Sequence, residues 1–114
     1  MTAIRNKATL VANYRARLNE NVSDCLDGLM IVFGNQAEDE IATASTHYMN
    51  RRGFNKSDAK ALTQIAKDRL QGKELDELQI AQVRRRIPKY AWQIVTSKIG
   101  RGDFVKSNGV YSGL

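Results

Sequence analysis

The chain has one cysteine, one histidine and one proline, and each scarcity excludes something. Cys25 has no partner for an internal disulfide, which rules out a secreted domain stapled by disulfides. It sits in "DCLDGLMIVF" with no histidine nearby, the setting of a small buried hydrophobe and not of an activated thiolate. His47 would have to serve any Ser/His/Asp or Cys/His mechanism, yet its segment "TASTHYMN" offers no glycine-flanked serine elbow. Glu40 and His47 stand two helical turns apart, but a metal site needs further well-spaced ligands, and no second histidine is present. Gly-rich phosphate loops and CxxC pairs are also missing, and "RGD" at 101–103 is a chance triplet in such a chain. The longest apolar run, "LMIVF" at 29–33, falls far short of the ~20 residues that cross a bilayer, and the amino terminus has no signal-peptide pattern. These absences predict a cytoplasmic, non-enzymatic protein with no metal, cofactor or membrane partner.

What is present favours a folded domain with an uneven charge. Hydrophobic residues make up 42% of the chain and charged residues 26%, too apolar for a disordered polymer and enough for one core at 114 residues. The net charge is +6, but residues 1–50 carry four Lys/Arg against six Asp/Glu, and residues 51–114 carry fourteen against six. The second half is where a polyanion would bind; a solvated surface that only confers solubility fits the same numbers.

Helical spacing dominates the pattern. Residues 3–20 place Leu10, Tyr14 and Leu18 on one side and Arg15 and Arg17 on the other. Val22, Leu26, Leu29, Phe33, Ile41 and Tyr48 continue at three to four residues or multiples of that, as one long helix or as two with a break at Gly34. Gly53 suits a left-handed helix end. A third segment follows, with Asn55 or Ser57 as cap, Asp58 in its positive first turn and Gly72 as terminator. Its apolar face is Ala61, Leu62, Ile65, Ala66 and Arg69 or Leu70, and Lys56, Lys60 and Lys67 point outward. Asp76 and Gln79 form a capping-box pattern with Leu75 as a staple. The helix they open meets Pro88, and Ile80, Val83, Ile87, Ala91 and Ile94 stay in phase across it, which predicts a kinked helix over two separate ones. The glycine-rich stretch after Ile99 predicts an irregular tail with a short extended piece at 103–106.

The segment "QVRRRIPKYAWQIV" carries the main functional signal. At about 100° per residue, Arg85, Lys89 and Trp92 fall opposite the apolar stripe. A tryptophan there can stack on a base while cations hold phosphates, or anchor a protein partner. It can also be buried by the amino-terminal helix or the tail, with a cation on its face. Glu38, Asp39 and Glu40 form a solvated acidic face or pair with the arginines at 84–86.

The order "RRGFNKSDAKALTQIAKDRLQGKELDELQIAQVRRRIPKYAWQI" resembles small accessory proteins of bacteriophages and mobile elements. It has their glycine-phenylalanine turn, Asp-Ala helix start, leucine and glutamine, and final "KYA-x-Q" helix, over roughly residues 38–95. Gly53, Phe54, Asp58, Ala59, Gln79, Lys89, Tyr90 and Gln93 carry the match, and they are packing and capping residues rather than catalytic ones. The resemblance implies a role in phage nucleic-acid metabolism within the host cytoplasm, or in defeating a nucleic-acid-targeting defence as anti-CRISPR proteins do.

Taken together, the sequence predicts an all-α single domain over 1–114 of four to five helices, a helical core at 1–99 and an irregular tail at 100–114. The expected activity is binding of DNA, RNA or a nucleoprotein, with Arg84, Arg85, Arg86 and Lys89 on phosphates and Trp92 stacking. Arg51, Arg52 and Lys56 at a helix start extend this patch. The alternative is an inhibitor that binds a host protein directly, and a third class is an adaptor or oligomer joined through the "LMIVF" helix.

Overall fold

The computed structural model describes residues 3–46 and 53–113, with the backbone alone over 37–46. His47, Tyr48, Arg51 and Arg52 therefore lie outside the described residues, as do the side chains of Glu38, Asp39, Glu40 and Ile41.

Helix α1 spans Lys7–Glu20 and opens on Asn6, whose side chain accepts a hydrogen bond from the Thr9 amide at 2.8 Å. It buries Leu10, Val11, Tyr14 and Leu18 and keeps Arg15 and Arg17 outward, as its spacing predicts. Helix α2, Val22–Thr46, runs through Gly34 without a break. Its buried stripe is Cys25, Leu29 and Val32, whereas Val22 is 38% exposed and Leu26 and Phe33 are half-buried. The expected stripe is thus rotated, and Gly28 explains why. A Cβ at position 28 would come within 2.8 Å of Ile94 Cδ1 and 3.1 Å of Ile87 Cγ2, so the bare backbone of α2 forms the crossing point. Cys25 is the small buried hydrophobe expected, its Sγ donating to the Leu18 carbonyl at 3.0 Å.

Helix α3, Lys56–Leu70, is capped by Asn55, which accepts from the Asp58 amide at 3.0 Å. It ends in a Schellman turn: Gly72, at φ +79, donates to the Arg69 carbonyl and Lys73 to that of Asp68, both at 3.0 Å. Leu62, Ile65 and Ala66 are buried. Leu70 is not part of the buried face, being 64% exposed one turn beyond Ala66 where the helix stops.

Helix α4, Glu77–Arg86, opens with the reciprocal capping box of Asp76 and Gln79, at 2.8 and 3.0 Å. A 3-10 turn, Ile87–Tyr90, follows, then helix α5, Ala91–Gly100. The expected kinked helix is realised as this tighter turn, with Pro88 at its second position, where no intrahelical donor is needed. Arg86, Ile87 and Ala91 keep right-handed helical dihedrals, so Val83, Ile87, Ala91 and Ile94 are buried in sequence across the proline.

A second Schellman turn ends α5: Gly102, at φ +83, donates to Ile99, and Asp103 to Lys98 at 2.9 Å. "RGD" is therefore a helix terminator. The tail beyond it is not irregular. Strands β1, Val105–Ser107, and β2, Val110–Ser112, form an antiparallel hairpin around Asn108 and Gly109, whose positive φ values of 52 and 77 suit a two-residue Asn-Gly turn. The Tyr111 amide donates to the Ile4 carbonyl at 2.8 Å, tying the two ends of the described chain together. One buried cluster holds α1, α2, α3, the α4–α5 course and Phe104, so the fold is all-α apart from this small hairpin. No helix among the described residues is long and apolar enough to cross a membrane.

Candidate functional site

The cations of "RRRIPK" divide into two groups. Asp58, 1% exposed, receives Arg86 Nη1 on Oδ1 at 2.6 Å, Lys89 Nζ on Oδ2 at 2.5 Å and the Tyr90 hydroxyl on Oδ2 at 2.6 Å. Burial pushes the Asp58 carboxyl up, but Lys89, Tyr90 and Arg86 outweigh it and hold the group below the usual carboxylate range. The Tyr90 hydroxyl, pushed well above its ordinary value by burial and by Asp58, accepts in turn from the Asn55 amide at 2.9 Å. Arg86 and Lys89 are therefore structural ion-pair partners here and are not displayed as bare phosphate ligands. Among the described residues the partner of Arg86 is Asp58; the side chains of the acidic run at 38–40 lie outside them.

Gly53, Phe54, Asp58, Lys89, Tyr90 and Gln93, the residues on which most of the expected resemblance rests, lie in one connected cluster. Gln93 grips the Gly53 peptide from both sides, its Oε1 accepting from Gly53 N at 2.7 Å and its Nε2 donating to Gly53 O at 3.1 Å. Gly53 is at φ +98, and a Cβ there would lie 2.8 Å from Gln36 Cβ. Phe54 meets Tyr90 edge to face at 5.9 Å, and Tyr90, Lys89 and Asp58 complete the cluster. Gln36 adds a bond to Thr63 at 3.0 Å and accepts from Phe54 N at 3.3 Å. These residues form the lock that fixes the α2–α3 connection against the 3-10 turn and α5. They present no nucleophile and base to solvent.

The other group faces out. Arg85, Pro88 and Trp92 follow at intervals of three and four residues along one side of a helical course, and α1 lies against that side. Arg15 Nε donates to the Pro88 carbonyl at 3.3 Å, and Lys7 Nζ sits 4.4 Å from the Trp92 ring centroid. Trp92 remains 51% exposed, so neither α1 nor the tail buries it. Arg84 and Arg85 are exposed in the last turn of α4 with no ion pair among the described residues, and Lys56 is likewise exposed at the start of α3. Arg84 lies near Cys25: burial pushes that thiol up, and the arginine offsets part of the rise.

An open groove of about 1050 Å³ runs beside Trp92 between α2 and α5. Met30, Ile31 and Gly34 form its α2 wall, and Trp92, Thr96 and Ser97 its α5 wall. Lys7, Lys98 and Arg101 bring positive charge to the rim against Asp27. Asn35, 6% exposed, donates from its Nδ2 to Gln93 Oε1 at 3.0 Å and to Ser97 Oγ at 2.9 Å, which links the groove to the Gly53 lock. Lys7, Arg15, Lys98 and Arg101 escape a reading confined to the arginine-rich helix. Lys7 lies 85 positions before Trp92, and no local spacing signals the contact. Among the described residues no group of three or more His, Cys, Asp or Glu side chains could hold a metal ion. Comparison with known proteins gives no match to any family model, curated protein or solved structure.

Proposed function

We propose that this protein binds nucleic acid without catalysing a reaction, through the face formed by Arg85, Trp92, Arg15 and Lys7. The observation that carries this assignment is the half-exposed Trp92 with a lysine on its ring and, two turns before it, an exposed arginine that has no ion pair among the described residues. An aromatic platform flanked by cations suits stacking plus phosphate contact, the combination used by surfaces that bind without base-edge readout. Arg84 and Lys56 are further exposed cations, while Arg86 and Lys89 serve the face indirectly by anchoring the turn that carries it. In cellular terms we place the chain with accessory proteins of phages and mobile elements, acting in the host cytoplasm.

Fluorescence anisotropy of labelled oligonucleotides tests the assignment. If Lys7, Arg15, Arg84 and Arg85 each neutralise a phosphate, log K falls against log salt with a slope of roughly −2.8 on a single strand and roughly −3.6 on a duplex. Absence of binding to any oligonucleotide at low salt would contradict it. The same face would then be sought in complex with a protein of a nucleic-acid-targeting defence, where Trp and Arg are the side chains that anchor interfaces.

A further inference from the structure

The groove between α2 and α5 allows a narrower statement, which rests on the nucleic-acid assignment above. We propose that this groove receives an unpaired base, so that the protein selects single-stranded over double-stranded nucleic acid.

Shape is the first ground. Trp92 stands at the wall of a concavity and not on a projecting ridge. Reading a duplex requires a helix or ribbon that enters a groove roughly 12 Å wide, whereas a base already in the stack has both faces covered and cannot lie against a ring on a groove wall. A strand with free bases can place one there. The α2 wall leaves room for it: a Cβ built on Gly34 meets no described atom within 4 Å. The apolar lining of Met30 and Ile31 offers a surface for a flat heterocycle next to the indole.

Charge is the second. Lys7 and Arg101 bring positive charge to the groove against Asp27, whereas Lys98, its side chain 19% exposed, turns its ammonium over Tyr14 and Phe104 and lies 3.9 Å from Asp103, which is also 3.5 Å from Arg101. The balance stays positive, and Arg15 continues the cationic track along α1 toward Pro88. A phosphodiester strand crossing the rim meets cations on both sides of Trp92.

Sequence preference should be weak, because the polar groups of the wall already have partners. The Gln93 amide serves Gly53 and Asn35, the Ser97 hydroxyl accepts from Asn35, and the Thr96 hydroxyl donates to the Trp92 carbonyl at 2.8 Å. Such a wall stacks a base and does not read its edge.

Trp92 is the only tryptophan, so its own fluorescence reports on the site without a substitution. A thymidine oligomer of about 20 nucleotides, its uridine counterpart and a duplex of the same length would be titrated into the full chain. Each would also be titrated by anisotropy against wild type, Trp92→Ala and Gly34→Leu, with thermal melts of all three proteins. The expected result is single-strand binding about tenfold tighter than duplex binding, with tryptophan quenching on the single strand alone. Trp92→Ala should lose roughly 5- to 150-fold on the single strand. Gly34→Leu should lose about tenfold there while melting no lower than wild type. Equal affinity for both forms without quenching would overturn the groove proposal and leave the nucleic-acid assignment standing. Failure to bind either form would overturn both.

Discussion

Replacing Asp58 by alanine is expected to destabilise the fold in a pH-dependent way. The carboxylate is 1% exposed and accepts from three side chains, so its loss leaves Arg86 and Lys89 without a counter-charge and the Tyr90 hydroxyl without an acceptor. Breaking a fully buried pair costs about 3–5 kcal/mol. The Arg86 side chain is 25% and that of Lys89 47% exposed, and water can solvate the released ammonium, so the Lys89 share belongs with surface pairs of about 0–1 kcal/mol. A net loss of about 2–4 kcal/mol follows, or about 8–16 °C in melting temperature at about 4 °C per kcal/mol for a chain of this size. Acid should close the gap. Asp58 titrates lower in the folded chain than in the unfolded one, so its contribution is full above the unfolded value of about 3.9 and is lost as pH falls through the folded value. Calorimetry or thermal circular dichroism of wild type, Asp58→Ala and Asp58→Asn from pH 7 down to about pH 3 measures this. A melting temperature for Asp58→Ala within about 2 °C of wild type at pH 7, or a gap that does not narrow below about pH 4, would refute the role given to the cluster.

Other substitutions probe the helix crossing and the core. Gly34→Ala meets open space and should stabilise by about 0.5–1 kcal/mol through helix propensity, whereas Gly28→Ala drives a methyl group against Ile94 and should destabilise by about 1–3 kcal/mol in urea unfolding. The Tyr14 hydroxyl is buried without a hydrogen-bond partner among the described residues, and its pKa is pushed up to about 12 by burial and by Asp24. Because the folded value lies above the unfolded one near 10, wild type should lose stability as pH rises from about 10 to 12. Tyr14→Phe should show a shallower decline, the remainder coming from Tyr90 and Cys25, and match or exceed wild type by about 1 kcal/mol at pH 7, as equilibrium unfolding at both pH values would register.

Much of the helical framework was legible because its signals are local. The Asp76–Gln79 box, the Asn55 cap and the Gly72 stop each act within four residues, and the apolar phase through Pro88 survives because a 3-10 turn preserves the handedness of the course. The stripe of α2 was misplaced since periodicity weighs side chains, while the closest contact there is made by Gly28, which has none. The hairpin was missed although "NG" at 108–109 announces it; its strands are only three residues each, too short for alternation to show. In the sequence Asp58 announces only a charge that suits the positive first turn of a helix, a role its position in α3 does allow. Its partners lie 28 to 32 positions away, and only the tertiary fold brings them in. The same holds for Lys7 and Arg15, which come to Trp92 and Pro88 from the far end of the chain. Composition showed where positive charge is concentrated, but not which cations a buried carboxylate had claimed.

The proposed binding face gives neighbouring arginines on one helix different duties, and a paired measurement on Arg85→Gln and Arg86→Gln separates them. Oligonucleotide affinity and melting temperature would be determined for both variants at one salt concentration. Arg85→Gln is expected to keep the wild-type melting temperature and lose about three- to tenfold in affinity. Arg86→Gln, deprived of its bond to Asp58, is expected to melt several degrees lower and to bind as wild type at a temperature where it is fully folded. The reverse pattern, with Arg85 governing stability and Arg86 governing affinity, would contradict the account.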